Sequence, residues 1–192
     1  LSADEFRAFV NANGNDAQKA QMGTANTDWQ DEIYQTAIGT DNNLSISGGT
    51  TGALKMPYRI SVGYLNQNGV LKTGNLERIS AGFNISPRFM NDRLKVNLNV
   101  RATSSKSRFA NEGAIGAAVS FDPTQPVRTN STRFGGYYEW LDPNAQTGLR
   151  ALAPSNPVGL LDRDDKSTVN RSIGNLELDY KLPFFPDLRA NL

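Results

Sequence analysis

The sequence predicts an all-β fold, an antiparallel meander whose strands are long enough to cross a bilayer. Three observations point there. Several runs alternate apolar and polar residues with a period of two, the pattern of a strand with one apolar and one polar face. Only 38% of the 192 residues are hydrophobic and the mean hydropathy is −0.48, so few apolar segments are left over to cover those faces from within the chain. The connections between runs also alternate short and long, the asymmetry of the two rims of an outer-membrane barrel.

The elements follow in order. Ser2 and Glu5 have the spacing of a capping box, Phe6, Phe9 and Val10 make one apolar face, and Asn13-Gly14 is a stop signal, which together predict a helix over 2–12. A second helix is predicted over 29–37, with Thr27 or Asp28 as cap, acids in its first turn and Trp29 and Ile33 four residues apart. The intervening "NANGNDAQKAQMGTANT" reads as loop. From Asn43 the period becomes two. Leu44 and Ile46 open a strand that closes at Gly48-Gly49, and "TTGALKMP" turns the chain. The next pair runs near 58–65 and 77–86, with Tyr58, Ile60, Val62 and Tyr64 on one side and Arg59, Ser61 and Gly63 on the other. After the turn "SPRFMNDR", Leu94, Val96, Leu98 and Val100 alternate with Lys95, Asn97, Asn99 and Arg101. Residues 104–167 are irregular, with "GAIGAAVSF" as a helical turn. A strand resumes over 169–182, where Val169 to Ile173 is out of phase with Leu176, Leu178 and Tyr180, a pattern that predicts a bulge. "PFFPD" turns once more and "LRANL" starts a further strand.

Each strand is roughly 8–12 residues, near the length that spans a bilayer at a tilt. The connections at 50–57, 87–93 and 183–187 are short, whereas those at 66–75 and 104–167 are longer. The organisation expected is therefore an external loop region with two short helices over 1–42, four barrel strands with hairpin connections over 43–103, a long external loop over 104–167, and a strand, a short periplasmic turn and the start of the next strand over 168–192. A soluble sandwich shares the same alternation, its apolar face meeting a second sheet. Periodicity alone leaves both open.

Composition removes several functions. Histidine and cysteine are absent, which excludes Ser-His-Asp and Cys-His catalysis, thiolate and imidazole metal sites, and disulfides. The charge is nearly balanced, 20 basic against 19 acidic residues, with no basic stripe for nucleic acid. No run reaches the about 18 apolar residues of a transmembrane helix. The opening "LSADEFRAFV" is amphipathic and acidic, unlike a signal peptide. The acids scatter without a catalytic pair, so an enzyme such as a two-carboxylate glycosidase is not expected.

Six blocks in the same order and spacing, "LSADEF", "TDWQDEIYQTA", "NLSISGG", "YRISVGYLNQNGVLKTGNLER", "NPVGLLDRDDKSTVNRSIGNLELDYKL" and "PDLRANL", resemble the SusC/RagA-type TonB-dependent transporters of Bacteroidetes outer membranes. The resemblance runs over essentially the whole chain. It implies part of a large plugged barrel of about 22 strands, with short helices in its external loops. It also implies a protein that imports glycans or peptides, works with a SusD-like surface lipoprotein and is driven by TonB through an N-terminal part not matched here. The chain is thus expected to be a fragment that begins in the first long external loop and ends early in about the seventh strand. Alone it would not transport, and its apolar faces would need other cover, such as self-association. The competing class is a soluble or surface-attached carbohydrate-binding or adhesive β-module. No cofactor is implied.

Candidate site residues follow from these faces. Arg59, Arg78, Lys95, Arg101, Glu177 and Asp179 would face the lumen of a barrel, lining the path of a substrate, forming salt bridges to the plug, or only solvating a wet interior and satisfying each other. Tyr58, Tyr64, Phe83, Phe89, Tyr180, Phe184 and Phe185 fall near strand ends, where an interfacial girdle or ordinary turn packing would use them. "DRDDK" at 162–166 and "DNN" at 41–43 gather oxygen ligands suited to Ca²⁺ but lack the spacing of an EF-hand, and read as solvated loops. Tyr137, Tyr138 and Trp140, in "FGGYYEWLDPNAQTG", are aromatics on which a sugar ring or a protein lid would stack, unless they pack their own loop.

Overall fold

Period-two alternation becomes sheet in the computed structural model, which describes residues 1–52, 55–185 and 187–192. The strands are β1 (Gly39–Thr50), β2 (Met56–Asn68), β3 (Asn75–Ile85), β4 (Arg88–Phe89), β5 (Leu94–Arg108), β6 (Lys166–Lys181) and β7 (Arg189–Asn191). They form a meander in the order β1-β2-β3-β5-β6-β7, with the two-residue β4 added onto β5. Register sets the two faces. Leu44 opposes Val62 and Ile46 opposes Ile60, while Ser45 opposes Ser61 and Ser47 opposes Arg59, so both strands turn their apolar residues the same way. Such apolar cross-strand pairs stabilise a sheet by about 0.2–1 kcal/mol each. Gly48 would weaken a strand, but the Tyr58 ring lies over it, and a Cβ there would stand 2.7 Å from the phenol oxygen.

The sheet residues 38–67, 75–107 and 166–192 make one unit of the chain. Nothing among its described residues covers the apolar face: Leu44 is 69%, Ile46 61% and Val62 51% exposed. The expected turns at 50–57 and 183–187 include Ala53, Leu54 and Pro186, which lie outside the described residues. In the 86–93 turn Met90, Asn91 and Asp92 all take left-handed conformations, with φ of 55°, 55° and 65°. Asn and Asp tolerate this through local hydrogen bonding, whereas Met does so at a cost. Asp92 lies 3.7 Å from Lys55 and 3.9 Å from Arg88, an exposed cluster of little energetic weight.

The bulge expected in β6 is absent. Lys181 donates to the Arg93 carbonyl, Asn97 reaches Glu177, Gly174 lies against Val100, and Phe109 donates to the Asp165 carbonyl. The strands run antiparallel, and paired residue numbers add to the same total at all four points, so no residue is inserted. A continuous hydrogen-bond ladder outranks the side-chain pattern, and Val169 consequently shares the polar face with Arg171 and Thr103.

The second unit combines residues 1–37 with two connections, 68–74 and 108–165. α1 (Ala3–Asn13) has the expected capping box: Ser2 Oγ accepts from the Glu5 amide and Glu5 accepts from the Ser2 amide at 2.9 Å. The stretch read as loop contains α2 (Asp16–Gln21), started by a capping box between Asn15 and Gln18 that lacks any apolar run to announce it. α3 (Trp29–Ile33) stops well short of residue 37. Tyr34 instead pairs with Leu71 and the Gln35 amide donates to Val70, which draws the chain out as strand-like backbone. Lys72 Nζ closes the helix end on the carbonyls of Asp31 and Glu32 at 3.1 and 2.8 Å. The small-residue stretch is a full helix, α4 (Gly113–Ser120), and α5 (Pro157–Leu161) follows. α3, α4 and α5 enclose a core of Trp29, Ile33, Ala114, Ala118, Phe121 and Leu161. Alanines in α4 let the helices approach closely, and Trp29 and Phe121 fill the space at 4.7 Å between ring centroids.

Candidate functional site

Two features carry chemistry, one in each unit. In the sheet, Arg59, Arg78 and Arg101 lie on the polar face together with Arg171, one on each of the consecutive strands β2, β3, β5 and β6. They line an open groove of about 830 Å³. Between them stand Ser45, Ser61, Ser80, Gly82, Thr103 and Ser105, and no acidic residue lines the groove. The groove exists because its floor is small: a Cβ on Gly63 would clash with Asn43 and Ser80, and one on Gly82 would meet Ser61 Oγ at 2.6 Å. The remaining lumen candidates lie elsewhere along the strands. Glu177 accepts from Asn97 at 3.3 Å, Asp179 accepts from Arg189 at 2.9 Å, and Lys95 stands opposite Arg88.

Arg59, Arg78 and Arg101 are legible in the sequence as an arginine followed two positions later by Ser or Thr, the signature of a basic residue beside a small one on the same strand face. Arg171 has Val169 and Ile173 as its neighbours at that spacing, and the expected bulge disguised its face.

The aromatic segment of the other unit turns largely inward. Tyr137 is only 6% exposed. Its hydroxyl donates to Asp162 Oδ2 at 2.6 Å and accepts from Arg128 at 2.7 Å, and the Arg128 guanidinium also lies 4.2 Å from the ring centre. Burial and the donation to Asp162 raise the Tyr137 pKa above its usual range. Tyr138 and Trp140 are half-buried, edge-on to each other at 5.5 Å and each packed near Phe121. Arg150 sits 5.7 Å over Trp140. Beneath them, fully buried Asn156 donates to the carbonyls of Val127 and Tyr138 and accepts from the amides of Val158 and Gly159, capping α5. An Asn before a Pro is the only local signal of this residue, and it was missed. Of the girdle aromatics, Tyr64, Phe83 and Phe89 are exposed beside the uncovered apolar residues, and Phe184 and Phe185 are more so. Among the described residues no acidic group assembles as a metal site, in "DRDDK" and "DNN" or elsewhere.

Glu139 gives this segment a pH response. Burial raises its pKa, partly offset by the Asn156 amide that donates to it at 3.0 Å. A carboxyl whose folded pKa is raised contributes stability below its unfolded value, lost as pH rises through the folded value. Glu139→Gln keeps an acceptor for the amide and removes the buried charge. We expect the variant to protect the segment from hydrogen exchange better than wild type at neutral pH, and equally well below the ordinary glutamate value of 4.5. Equal protection at neutral pH would refute this.

Comparison with known proteins places these features in context. No protein-family model matches the chain. It is 42% identical, over its whole length, to the TonB-dependent receptor SusC of Bacteroides thetaiotaomicron, of which it spans 20%. It is 40% identical over 52% of its length to the TonB-dependent receptor P3 of Formosa agariphila, and 28% identical over 81% to the TonB-dependent receptor P26 of the same organism. It spans 9% and 14% of those two relatives.

Proposed function

The chain belongs to the SusC-type TonB-dependent receptors, and on that premise we propose that it is a stretch of barrel wall with its loops from an outer-membrane importer of glycans or peptides. The observation that carries the reading is the two-faced sheet. A face bearing Leu44, Ile46, Ile60 and Val62 is left uncovered while the opposite face is a groove of hydroxyls and guanidiniums. Lipid on one side and a wet passage on the other is the arrangement that suits both. A carbohydrate-binding β-module in solution would need a second layer over the apolar face, and the described residues supply none.

In this reading Arg59, Arg78, Lys95, Arg101, Glu177 and Asp179 belong to the lumen wall. A SusD-like lipoprotein is the partner at the surface, TonB acts through a part of the receptor beyond this stretch, and the cell location is the outer membrane of a member of the Bacteroidetes. Contact with ligand or lipoprotein falls to the outward edges of Tyr138 and Trp140, since Tyr137 is committed to Asp162 and Arg128. The test is a strain deleted for the receptor gene, grown on single glycans and single peptides with uptake measured directly. Loss of growth and uptake on one of them, restored by the intact gene, is expected. Unchanged uptake of every substrate would remove the proposal.

A further inference from the structure

Four guanidiniums on consecutive strands require an explanation that a merely wet surface does not give. Adjacent strands lie about 4.8 Å apart, so the four span about 15 Å across the sheet, and they are staggered over about 20 Å along it, Arg78 lying level with Leu65, six residues from Arg59. A polar wall is ordinarily a mixture of signs, because like charges at these distances repel. Here the two acids on the same face of β6 are spent elsewhere, Glu177 on Asn97 and Asp179 on Arg189. From 171 to 177 is six residues, about 20 Å of strand, too far for Glu177 to serve Arg171. Among the described residues Arg78, Arg101 and Arg171 form no ion pair, Asp41 on the same face of β1 accepts from Asn43 at 2.8 Å, and Arg59 makes only a long bond of 3.5 Å to Ser45. All four are exposed to the groove.

We infer that this groove is a binding site for an oligosaccharide bearing oxyanions, sulfate esters or carboxylates. Guanidinium forks match both groups in shape and charge and remain protonated at any working pH. The groups between the arginines favour a sugar over a peptide. Ser45, Ser61, Ser80, Thr103 and Ser105 offer hydroxyls that exchange hydrogen bonds with ring hydroxyls, and the only side chain of the lining that could seat an apolar peptide residue is Val169 at the edge. Leu44 and Val62 oppose each other on the apolar face, and Ala81 lies beside Ile79, so their side chains are not the groove's polar floor. The inference rests on reading the polar face as a wall of the passage.

The experiment measures binding of three labelled tetrasaccharides to the full-length receptor purified in detergent: a κ-carrageenan fragment, which carries sulfate esters and no carboxylate, an oligogalacturonate and neutral maltotetraose. We expect one or both anionic probes to bind about tenfold tighter than the neutral one or better, an advantage of about 1.4 kcal/mol. It should vanish near 1 M salt, where the screening length is about 3 Å. The double variant Arg101→Gln/Arg171→Gln should lose the preference, and Arg101→Lys/Arg171→Lys should keep part of it. Which anionic probe responds identifies the oxyanion. Equal binding of all three probes by wild type overturns the inference. So does a Gln variant that keeps the preference, including one that keeps it but melts at lower temperature, which would mean that the arginines pair with carboxylates of the receptor's own chain. Should the double variant fail to assemble, Arg171→Gln alone is read by the same criteria. A receptor that prefers the anionic probes but supports no uptake would leave this site standing and remove the importer reading. The reverse result would do the opposite.

Discussion

Replacing Asn156 by alanine should open residues 126–162 to hydrogen exchange by roughly two to three orders of magnitude. The side chain is fully buried and uses all of its hydrogen-bonding capacity. Truncation removes the N-cap of α5, which costs about 1–2 kcal/mol. It also strips the buried Tyr138 carbonyl of its donor, at about 1–3 kcal/mol. Val127 suffers less, because its carbonyl still accepts from the Tyr138 amide at 3.2 Å. About 3–4 kcal/mol of local opening energy is therefore at stake, and each 1.4 kcal/mol is about a factor of ten in exchange. Asn156→Asp separates the two roles. An aspartate caps a helix as well as an asparagine does, so α5 keeps its start. It cannot donate, however, and sets a carboxylate about 3 Å from two carbonyl oxygens. If the crosspiece matters more than the cap, the aspartate variant is at least as disrupted as the alanine one at neutral pH and recovers on acidification, when the carboxyl regains a proton. Hydrogen exchange of the full-length receptor, followed by mass spectrometry, reads both variants. Protection within tenfold of wild type in Asn156→Ala would show that the residue does not hold the segment.

The contrast between Asn156 and the strands explains how much was legible in advance. Strand positions are visible because the signal is local: Leu94 to Val100 alternates within a few residues and needs no distant partner to be recognised. The α1 start was equally local, a Ser and a Glu three apart. The α3 end was not, since Tyr34 leaves the helix to pair with Leu71 on a distant connection. The loop core is wired the same way. The Gly23 amide donates to Thr124 Oγ1, Thr27 to the Gln125 carbonyl and the Trp29 indole to the Asp122 carbonyl, across about a hundred residues of chain. No window on the sequence contains both ends of such a bond. Adjacent aromatics pose the same difficulty. Tyr137 and Tyr138 look alike on paper, and only the positions of Asp162 and Arg128 make one of them interior. On the polar face three of the four arginines were readable from the residue two places on, and the fourth was hidden by its apolar neighbours.

A lysine introduced at Val62 should prevent assembly of the receptor in the outer membrane, whereas a lysine one residue earlier, at Ser61, should be tolerated. The argument is one of parity. Val62 faces Leu44 on the apolar side of the sheet, and Ser61 faces Ser45 on the other. Val62 also lies at the middle of β2, where a charge on a lipid face costs about 2–4 kcal/mol. At Ser61 the lysine opens onto the groove, where water screens it from the arginines nearby and the cost is a fraction of that on a lipid face. Both variants exchange one uncharged residue for the same lysine, so net charge is matched. The amount of heat-modifiable receptor recovered in the outer membrane then reports the face alone. Equal recovery of the two, or loss of the Ser61 variant instead, would contradict the assignment. A protein layer over the apolar face would also reject the Val62→Lys variant, and depth separates the two explanations. In a bilayer the penalty falls to about 0–1 kcal/mol near the interface, so a lysine at Tyr58, close to the end of β2, should cost much less than one at Val62. Packing against a second sheet has no such gradient, since it excludes water along the whole strand. A steep decline in penalty from Val62 to Tyr58, measured as folding free energy in lipid vesicles, is the result that only a membrane produces.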